Sequence, residues 1–367
     1  MLKVVYFIEV MYNSGGMERV LSVCSNSLCQ KLDVNIVTFY QKGRPTYFPL
    51  DNRIHCYDLG LDGVANRKLL KKRLTEFLMS HHFDIVITMG GMDMYYLHAI
   101  KDGSRKVFWF HFAIDIAKTT WAGPNPTVLQ KVKAQFQTWK RIYHAKKYDK
   151  IIVISKADLS KWQKYTKKAQ LIYNPITIKG TNVSDRSSKF VISAGRLDYQ
   201  KGYDYLVHAW SMVTKKHPNW HLNIYGEGSL KKSIQKQIEE LKLTNVITLC
   251  GRTPHIGQKY AQHSIYVMSS RAEGLGLVLL EAASCGLPLI AYNCPSGPSE
   301  IIENGKNGLL VKCVGDIQGM ADAICTLIEN ESLRNEMGEN AHKMVKKFSV
   351  PNITNQWIEL FNEITEA

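Results

Sequence analysis

Short apolar runs alternate with amphipathic helical segments along almost the whole chain, and this alternation constrains the fold more than any other feature. The first run, residues 3–10, is rich in β-branched and aromatic residues, and residues 17–32 after it have apolar side chains at helical spacing. The same pattern restarts at residues 190–194 and 203–216. Strands separated by crossover helices form parallel sheets. The sequence therefore predicts an α/β protein with two parallel-sheet layers.

A chain of 367 residues is too long for one ordinary α/β core and suits two domains of about 150–200 residues. The turn signal Asn174-Pro175 precedes a polar, irregular stretch, which marks a boundary. We expect an N-terminal domain at residues 1–176, a C-terminal domain at 177–349, and a helix at 350–367 that packs back on the N-terminal domain. Two such domains facing each other leave a cleft between their strand carboxyl ends.

The positive charge is concentrated in the N-terminal half. Residues 1–180 hold 28 Lys and Arg against 13 Asp and Glu, whereas residues 181–367 hold 19 of each. This imbalance predicts an anionic partner for the N-terminal half: nucleic acid, anionic lipid or a phosphorylated substrate. Residues 118–150 mix aromatic side chains with lysines in a helical pattern. Such a helix lies on a membrane surface or turns its aromatic side chains into the core, and the sequence leaves both open.

Several classes of protein are disfavoured. The eight cysteines form no Cys-x-x-Cys pair and no Cys/His cluster, and no Asp-x-Asp motif is present, so no metal site is predicted. The first glycine loop is not the G-x-G-x-x-G dinucleotide fingerprint. No apolar run reaches the ~18 residues that span a bilayer, and we find no secretory signal. We expect a cytoplasmic protein that can contact the inner face of the cell membrane.

Residues 269–282 carry the densest group of functional residue types. Glu273, Gly274 and Gly276 are followed by an apolar run that opens with Leu277-Val278 and reaches Glu281. Glycine lets the backbone approach a ligand closely, and the start of a helix offers unpaired N–H groups and a positive dipole end. The segment predicts an anion cradle with a carboxylate on either side. The alternative is a strand–loop–helix junction that needs glycine only to turn.

Further candidates follow other predicted strands, where ligands bind in open α/β sheets. They are Gly15-Gly16, His111, the pair Arg196 and Lys201, Gly226 and Arg252. Arg196 and Lys201 can clamp a diphosphate, Arg through its planar fork and Lys as a point charge. A solvated surface cation, or for His111 a packed histidine, is the alternative for each residue taken alone.

Together these motifs resemble the retaining glycosyltransferases of family 4, also called group 1, which have the GT-B fold. The resemblance rests on Gly195-Arg196-Leu197…Lys201-Gly202, Gly226-Glu227-Gly228, Glu273 and Glu281 at E-x7-E spacing, and Gly15-Gly16-Met17-Glu18. It is strong over most of the C-terminal half and reaches the N-terminal half only at the first loop, His111 and Ser155. The family usually has Phe where Leu275 stands.

The resemblance implies a role for each matched residue. Arg196 and Lys201 would neutralise the diphosphate of a sugar nucleotide, Glu273 would bind sugar hydroxyls, and Glu281 would bind the ribose. Backbone N–H groups at Gly16 and at Gly276–Val278 would hold phosphate oxygens. His111 would line the sugar pocket, and Arg252 would lie near the base.

The implied activity is transfer of a hexose or N-acetylhexosamine from a nucleotide sugar, UDP-linked by family habit, without a metal or other cofactor. The acceptor would be an anionic glycan or lipid-linked glycan of surface polysaccharide or lipopolysaccharide synthesis, reached at an anionic membrane. A UDP-sugar epimerase of GT-B architecture is an alternative. A nucleic-acid-binding protein would explain the charge but shows no zinc finger, helix-turn-helix or RNP-type signature.

Overall fold

The computed structural model describes residues 1–118, 126–178 and 182–366, and it divides into two compact units. The first unit comprises Met1–Ile114, Gln135–Thr177 and Phe348–Ala367, and the second comprises Asp115–Ala134 and Ile178–Lys347. A parallel sheet forms the centre of each unit. The predicted α/β class with two Rossmann-like parallel sheets is confirmed.

The first sheet has seven parallel strands in the order β3-β2-β1-β4-β5-β6-β7. The strands are β1 Lys3–Ile8, β2 Asp33–Thr38, β3 His55–Asp58, β4 Ile85–Thr88, β5 Arg105–Phe110, β6 Lys150–Val153 and β7 Ala169–Leu171. The order reverses between β1 and β4. Such a switch point opens a crevice at the carboxyl ends of the strands.

The second sheet has six parallel strands in the order β10-β9-β8-β11-β12-β13. The strands are β8 Phe190–Ala194, β9 His221–Tyr225, β10 Ile247–Gly251, β11 Ile265–Met268, β12 Leu289–Tyr292 and β13 Gly308–Val311. Here the order reverses between β8 and β11. The loops after these two strands are therefore the first place to look for a ligand site in this unit.

Helices connect the strands in both units. They are α1 Gly16–Leu28, α2 Arg67–His81, α3 Val128–Ala145, α4 Lys156–Gln163, α5 Tyr203–Lys216, α6 Lys231–Glu240, α7 Ile256–Ala261, α8 Leu277–Ser284, α9 Pro298–Ile301, α10 Ile317–Glu329, α11 Glu331–Met344 and α12 Val350–Glu366. The sequence did not predict α7, because six residues are too few to show a helical period. In the described part of the chain, no helix has both the length and the hydropathy needed to cross a bilayer.

The C-terminal helix α12 packs within the first unit. The ring of Trp357 lies 4.7 Å from that of Trp109 on β5, measured between centroids. The Thr354 hydroxyl also donates a hydrogen bond to the Ser27 hydroxyl on α1, at 3.0 Å. The last helix of the chain is therefore part of the core that surrounds the first sheet.

Candidate functional site

The loops that follow β8 and β11 are held together by close backbone contact at Gly202. This glycine has a φ of +63°, and a Cβ placed on it would overlap the carbonyl oxygen of Ser269. The Ser269 hydroxyl in turn donates a hydrogen bond to the Lys201 carbonyl oxygen at 2.9 Å. Glycine alone combines a left-handed φ with so close an approach at no steric cost. Lys201 is therefore presented beside the carboxyl end of β11.

Lys201 and Glu273 form an enclosed ion pair between these two loops. The Lys201 Nζ atom donates to Glu273 Oε1 at 2.7 Å, and the two side chains are 15% and 8% exposed. Charge-assisted hydrogen bonds are strong when water is excluded, and removal of one partner then leaves a charge uncompensated. The structure thus brings together two predicted site residues that are 72 positions apart in the sequence.

Arg196 lies outside that pair. Its side chain is 69% exposed, and its Nε atom is 3.4 Å from Asp198 Oδ2. Asp198 also accepts a hydrogen bond from the Lys201 backbone N–H at 3.3 Å, which caps the short 3-10 turn that carries Lys201. Exposed ion pairs contribute little to stability. The Arg196 guanidinium can therefore turn from Asp198 toward an anionic ligand at small cost.

The glycine-rich loop after β11 leads into helix α8. Gly276 precedes the helix with a φ of +84°, and Leu277 and Val278 form the first turn, where both side chains are half-buried. The first N–H groups of a helix have no acceptor within the helix and lie at the positive end of its dipole. Glu273 and Gly274 belong to the same loop. An anion-attracting helix start therefore follows directly on the carboxylate that binds Lys201.

Glu281 lies on α8, on the other side of this helix start. Its side chain is buried, and the Tyr260 hydroxyl on α7 donates to its Oε2 atom at 3.4 Å. The Ser284 hydroxyl donates to the Glu281 carbonyl oxygen at 2.7 Å. The two acids of the E-x7-E motif thus have different surroundings: Glu273 binds a cation, and Glu281 accepts from a tyrosine.

The loop after β9 packs against the loop after β8. Gly226 has a φ of +148°, and a Cβ on it would overlap the Gly195 carbonyl oxygen. The Leu197 N–H donates to the Glu227 carbonyl oxygen at 3.0 Å. Arg252 follows β10 and is exposed. Gly226 therefore acts by allowing the two loops to approach, whereas Arg252 presents a cation to solvent at the same edge of the sheet.

The sequence analysis missed Arg271, which joins the loops after β8 and β11. Its guanidinium donates to both carboxylate oxygens of Asp204, at 2.9 and 2.6 Å, and to the Tyr199 carbonyl oxygen at 2.7 Å. It also lies 4.1 Å from the ring centroids of Tyr199 and Tyr205. An arginine held by a bidentate pair and two rings is firmly oriented. Its position two residues before Glu273 is a signal that could have identified it.

The loop after β12 was also missed. Gly297 has a φ of +89°, and a Cβ on it would lie 2.8 Å from the Leu275 carbonyl oxygen, so this loop contacts the glycine-rich loop. Within the described residues, the hydroxyl oxygens of Ser270 and Ser296 are buried without a hydrogen-bond partner. Both hydroxyls therefore retain unused hydrogen-bonding capacity near the carboxyl edge of the sheet. The Pro-Ser-Gly-Pro turn signal after a strand could have identified this loop.

In the first unit, the predicted residues follow β1 and β5. Gly15 caps α1 and Gly16 opens it, and a Cβ on Gly15 would overlap the Glu18 carboxylate. His111 is buried, and its ring centroid lies 4.3 Å from that of Trp109. Burial lowers the pKa of His111 to about 3, so its imidazole is neutral at physiological pH. His111 can exchange hydrogen bonds with a ligand but does not supply a positive charge.

A possible metal-ligand group in the described residues consists of His217, Cys325 and Glu329. The His217 Nε2 atom lies 3.0 Å from Glu329 Oε1. His217 ends α5 and precedes β9, so the group lies at the amino edge of the second sheet. It is separate from the loops at the carboxyl edge.

The family model described as Glycosyl transferases group 1 matches residues 176–344, which include the second sheet and all of its loops. This stretch of the chain resembles the glycosyl transferases of group 1. Among curated relatives, an uncharacterized glycosyltransferase of Haemophilus influenzae is 27% identical over 366 residues, which cover 97% of this chain and 99% of the relative.

A second relative carries a more specific name. It is the GalNAc-alpha-(1->4)-GalNAc-alpha-(1->3)-diNAcBac-PP-undecaprenol alpha-1,4-N-acetyl-D-galactosaminyltransferase of Campylobacter jejuni, 23% identical over 381 residues that cover 100% of both chains. Three other relatives are 32–35% identical, but this chain spans only 19–39% of their length.

The fold has close counterparts among solved structures. The crystal structure of a mutant of S. aureus TarM in complex with Fondaparinux, alpha-GlcNAc-glycerol and UDP matches with a TM-score of 0.83 and 19% identity. The match covers 99% of this chain and 100% of that one. At this identity the likeness concerns the fold, which is GT-B, as the sequence predicts.

Proposed function

We propose that this chain is a retaining glycosyltransferase that moves a hexose or N-acetylhexosamine from a UDP-sugar to a glycan or glycolipid acceptor. The observation that carries the proposal is the enclosed Lys201–Glu273 pair beside the start of α8, at the carboxyl edge of the second sheet. The UDP bound in the TarM complex and the PP-undecaprenol acceptor named for the C. jejuni relative support the choice of donor and acceptor class. Bacterial-type surface polysaccharide or lipopolysaccharide synthesis is the expected process.

The second unit binds the donor in this proposal. Lys201 and Arg196 approach the diphosphate, and the N–H groups of Gly276–Val278 donate to its oxygens. Glu273 accepts hydrogen bonds from sugar hydroxyls, and Glu281 accepts them from the ribose. Gly226 allows the loops after β8 and β9 to approach each other, and Arg252 contacts the base.

The chemistry follows from where charge develops. As the bond between the anomeric carbon and the diphosphate breaks, the carbon becomes positive and the leaving diphosphate becomes more negative. Preorganised cations and N–H dipoles stabilise that leaving group, and one such group contributes ~3 kcal/mol. The acceptor oxygen attacks from the face that the diphosphate leaves, and its proton passes to a diphosphate oxygen. Configuration is retained, and no metal ion takes part.

The first unit binds the acceptor in this proposal. Residues 1–180 carry the whole positive excess of the chain. Such a field attracts an anionic, lipid-linked acceptor at an anionic membrane surface, where each Lys or Arg contributes ~1 kcal/mol. We therefore place the enzyme in the cytoplasm at the inner face of the cell membrane.

A thermal-shift screen over UDP-, GDP- and ADP-sugars tests the donor. A ligand at about 100 times its dissociation constant adds ~2.7 kcal/mol of stability, so the true donor should raise the melting temperature clearly. Glu281→Ala should abolish or greatly weaken the shift, whereas Glu303→Ala, at an exposed carboxylate, should leave it intact. The absence of a shift with every sugar nucleotide would refute the proposed donor site.

Product analysis tests the reaction. NMR of the transferred sugar should show the anomeric configuration of the donor, and chelator should leave the rate unchanged. Inverted product, or a rate that chelator abolishes and Mg²⁺ restores, would contradict the mechanism. The similarity to known proteins does not favour the epimerase alternative, which predicts an isomerised UDP-sugar without acceptor.

A further inference from the structure

Helix α3 presents an apolar and aromatic stripe to solvent. The stripe consists of Leu129 (78% exposed), Val132 (59%), Phe136 (67%), Trp139 (56%) and Tyr143 (61%). These residues recur every three or four positions, so they share one face of the helix. At 100° per residue they occupy about 80° of its circumference. Large apolar side chains aligned in this way mark an interaction surface.

The opposite face of α3 is the one that packs against protein. Its buried residues are Ala134, Thr138, Arg141, Ile142 and Ala145. Arg141 anchors this face, because its Nη1 atom donates to the Ile114 carbonyl oxygen at 3.1 Å and its guanidinium lies 5.0 Å from the ring centroid of Phe110. The inward face is thus occupied by three small side chains, by Ile142 and by one anchored arginine. The aromatic stripe is held outward.

Lysines border the stripe. Lys133 and Lys140 lie along one edge of it, Lys146 lies at the other, and α3 contains no acidic residue. The neighbouring α4 adds to this surface, because Tyr165 just beyond its end is 39% exposed and its ring lies 6.3 Å from that of Trp139. The surface therefore combines apolar side chains at its centre with positive charge at its edges.

We propose that this face of α3 lies in the interface of an anionic bilayer, with Phe136, Trp139 and Tyr143 at the boundary between headgroups and acyl chains. An apolar stripe bordered by lysines is the pattern of an interfacial helix, and the charge complements lipid phosphates. A second copy of the chain would bring the same lysines against each other. The inference rests on the proposed function for its lipid-linked acceptor and adds the surface by which the enzyme reaches it.

Vesicle sedimentation of the full chain tests the charge requirement. We expect binding to phosphatidylcholine vesicles that contain about one third phosphatidylglycerol, weak binding to pure phosphatidylcholine, and loss of binding at high salt. Equal, salt-insensitive binding to both vesicles, or binding to neither, would overturn the proposal.

Tryptophan quenching tests which surface is inserted. Of the six tryptophans that the structure describes, Trp139 is exposed and the other five are buried. Trp121 lies outside the described residues, so the experiment uses a Trp121→Phe background. Brominated lipids should then quench fluorescence, and Trp139→Phe should remove the quenching. Bound protein without quenching of Trp139 would place the contact elsewhere and refute the inference.

Variants give a quantitative test. Phe136→Ser with Trp139→Ser should lower vesicle affinity by at least about tenfold, and Lys133→Gln or Lys146→Gln by about fivefold each. Matched controls are Met79→Ser on α2, where the side chain is 53% exposed, and Lys236→Gln on α6, where it is 76% exposed. Neither control should change binding. Unchanged affinity in the double variant would overturn the proposal.

Two measurements distinguish membrane contact from a dimer contact and from the transferase activity. Light scattering of the wild type and the double variant tests for a dimer. A dimer that forms in the wild type and not in the double variant, together with no vesicle binding, would show that a second copy covers the face and would overturn the proposal. The UDP-sugar thermal shift should be the same in the double variant and the wild type. Vesicle binding with quenching of Trp139 but no thermal shift with any sugar nucleotide would refute the proposed donor site and leave the membrane face intact.

Discussion

Breaking the Lys201–Glu273 pair should destabilise the second unit strongly. The two side chains are only 15% and 8% exposed, so Lys201→Met leaves the Glu273 carboxylate with little water and no cation. Removal of one partner from a buried pair costs about 3–5 kcal/mol. Because Lys201 keeps some contact with solvent, we expect a loss of about 3 kcal/mol, which lowers the melting temperature by about 6–12 °C in a unit of this size.

A double-mutant cycle measures the interaction itself. Calorimetry of the wild type, Lys201→Met, Glu273→Gln and the double variant should give a coupling free energy of about 2 kcal/mol. Lys231 and Glu227 provide a matched control, because their atoms are 2.9 Å apart but the side chains are 46% and 36% exposed. The control cycle should give about 0.5 kcal/mol. The two ion pairs have similar distances but different burial, so the difference between their coupling free energies measures the effect of enclosure.

Equal coupling free energies in the two cycles would refute the effect ascribed to enclosure of the pair. The same variants also test the functional role. Lys201→Met should abolish the UDP-sugar thermal shift, whereas Lys231→Met should retain it. If Lys201→Met binds UDP-sugar as the wild type does, the pair is structural and its proposed role at the leaving diphosphate is wrong.

Two further predictions concern backbone contact and pH. Gly202→Ala should lower the free energy of unfolding by about 3 kcal/mol or more, measured by chemical denaturation, since its Cβ would overlap the Ser269 carbonyl oxygen. Gly305→Ala, at φ +82° with no atom within 4 Å of the new Cβ, should lower it by about 1–2 kcal/mol. Equal losses in the two variants would contradict the proposed loop contact. The pKa of His111 is about 3 in the folded chain and about 6.5 in the unfolded chain. Between these values only the unfolded chain binds the proton, so the free energy of unfolding falls by about 1.4 kcal/mol for each pH unit below about 6.5. His111→Phe should remove that contribution between about pH 6 and pH 4, and an unchanged slope in urea unfolding would show that His111 is not buried as a neutral imidazole.

Much of the fold could be predicted because central parallel strands are buried on both faces. In β1, residues such as Val4 and Phe7 are fully buried, and such strands appear in the sequence as continuous apolar runs. The candidate loops could be located for a related reason, since each follows a strand and parallel strands bring their carboxyl ends to one edge. The spacing of Glu273 and Glu281 needed no structure, because the two residues belong to one loop and the helix that follows it.

By itself, then, the sequence determined the alternation of strands and helices, the E-x7-E segment and the resemblance of residues 176–344 to the group 1 glycosyl transferases. Tertiary structure alone decided the partners of the charged groups. The pairs Lys201–Glu273 and Arg271–Asp204 join residues 72 and 67 positions apart, and no local pattern records a contact between loops that only the sheet brings together. It also decided which side of α3 faces solvent. Both sides carry apolar residues, such as Ile142 and Phe136, so hydrophobicity did not distinguish them, whereas the anchoring of the opposite face left the aromatic stripe outside.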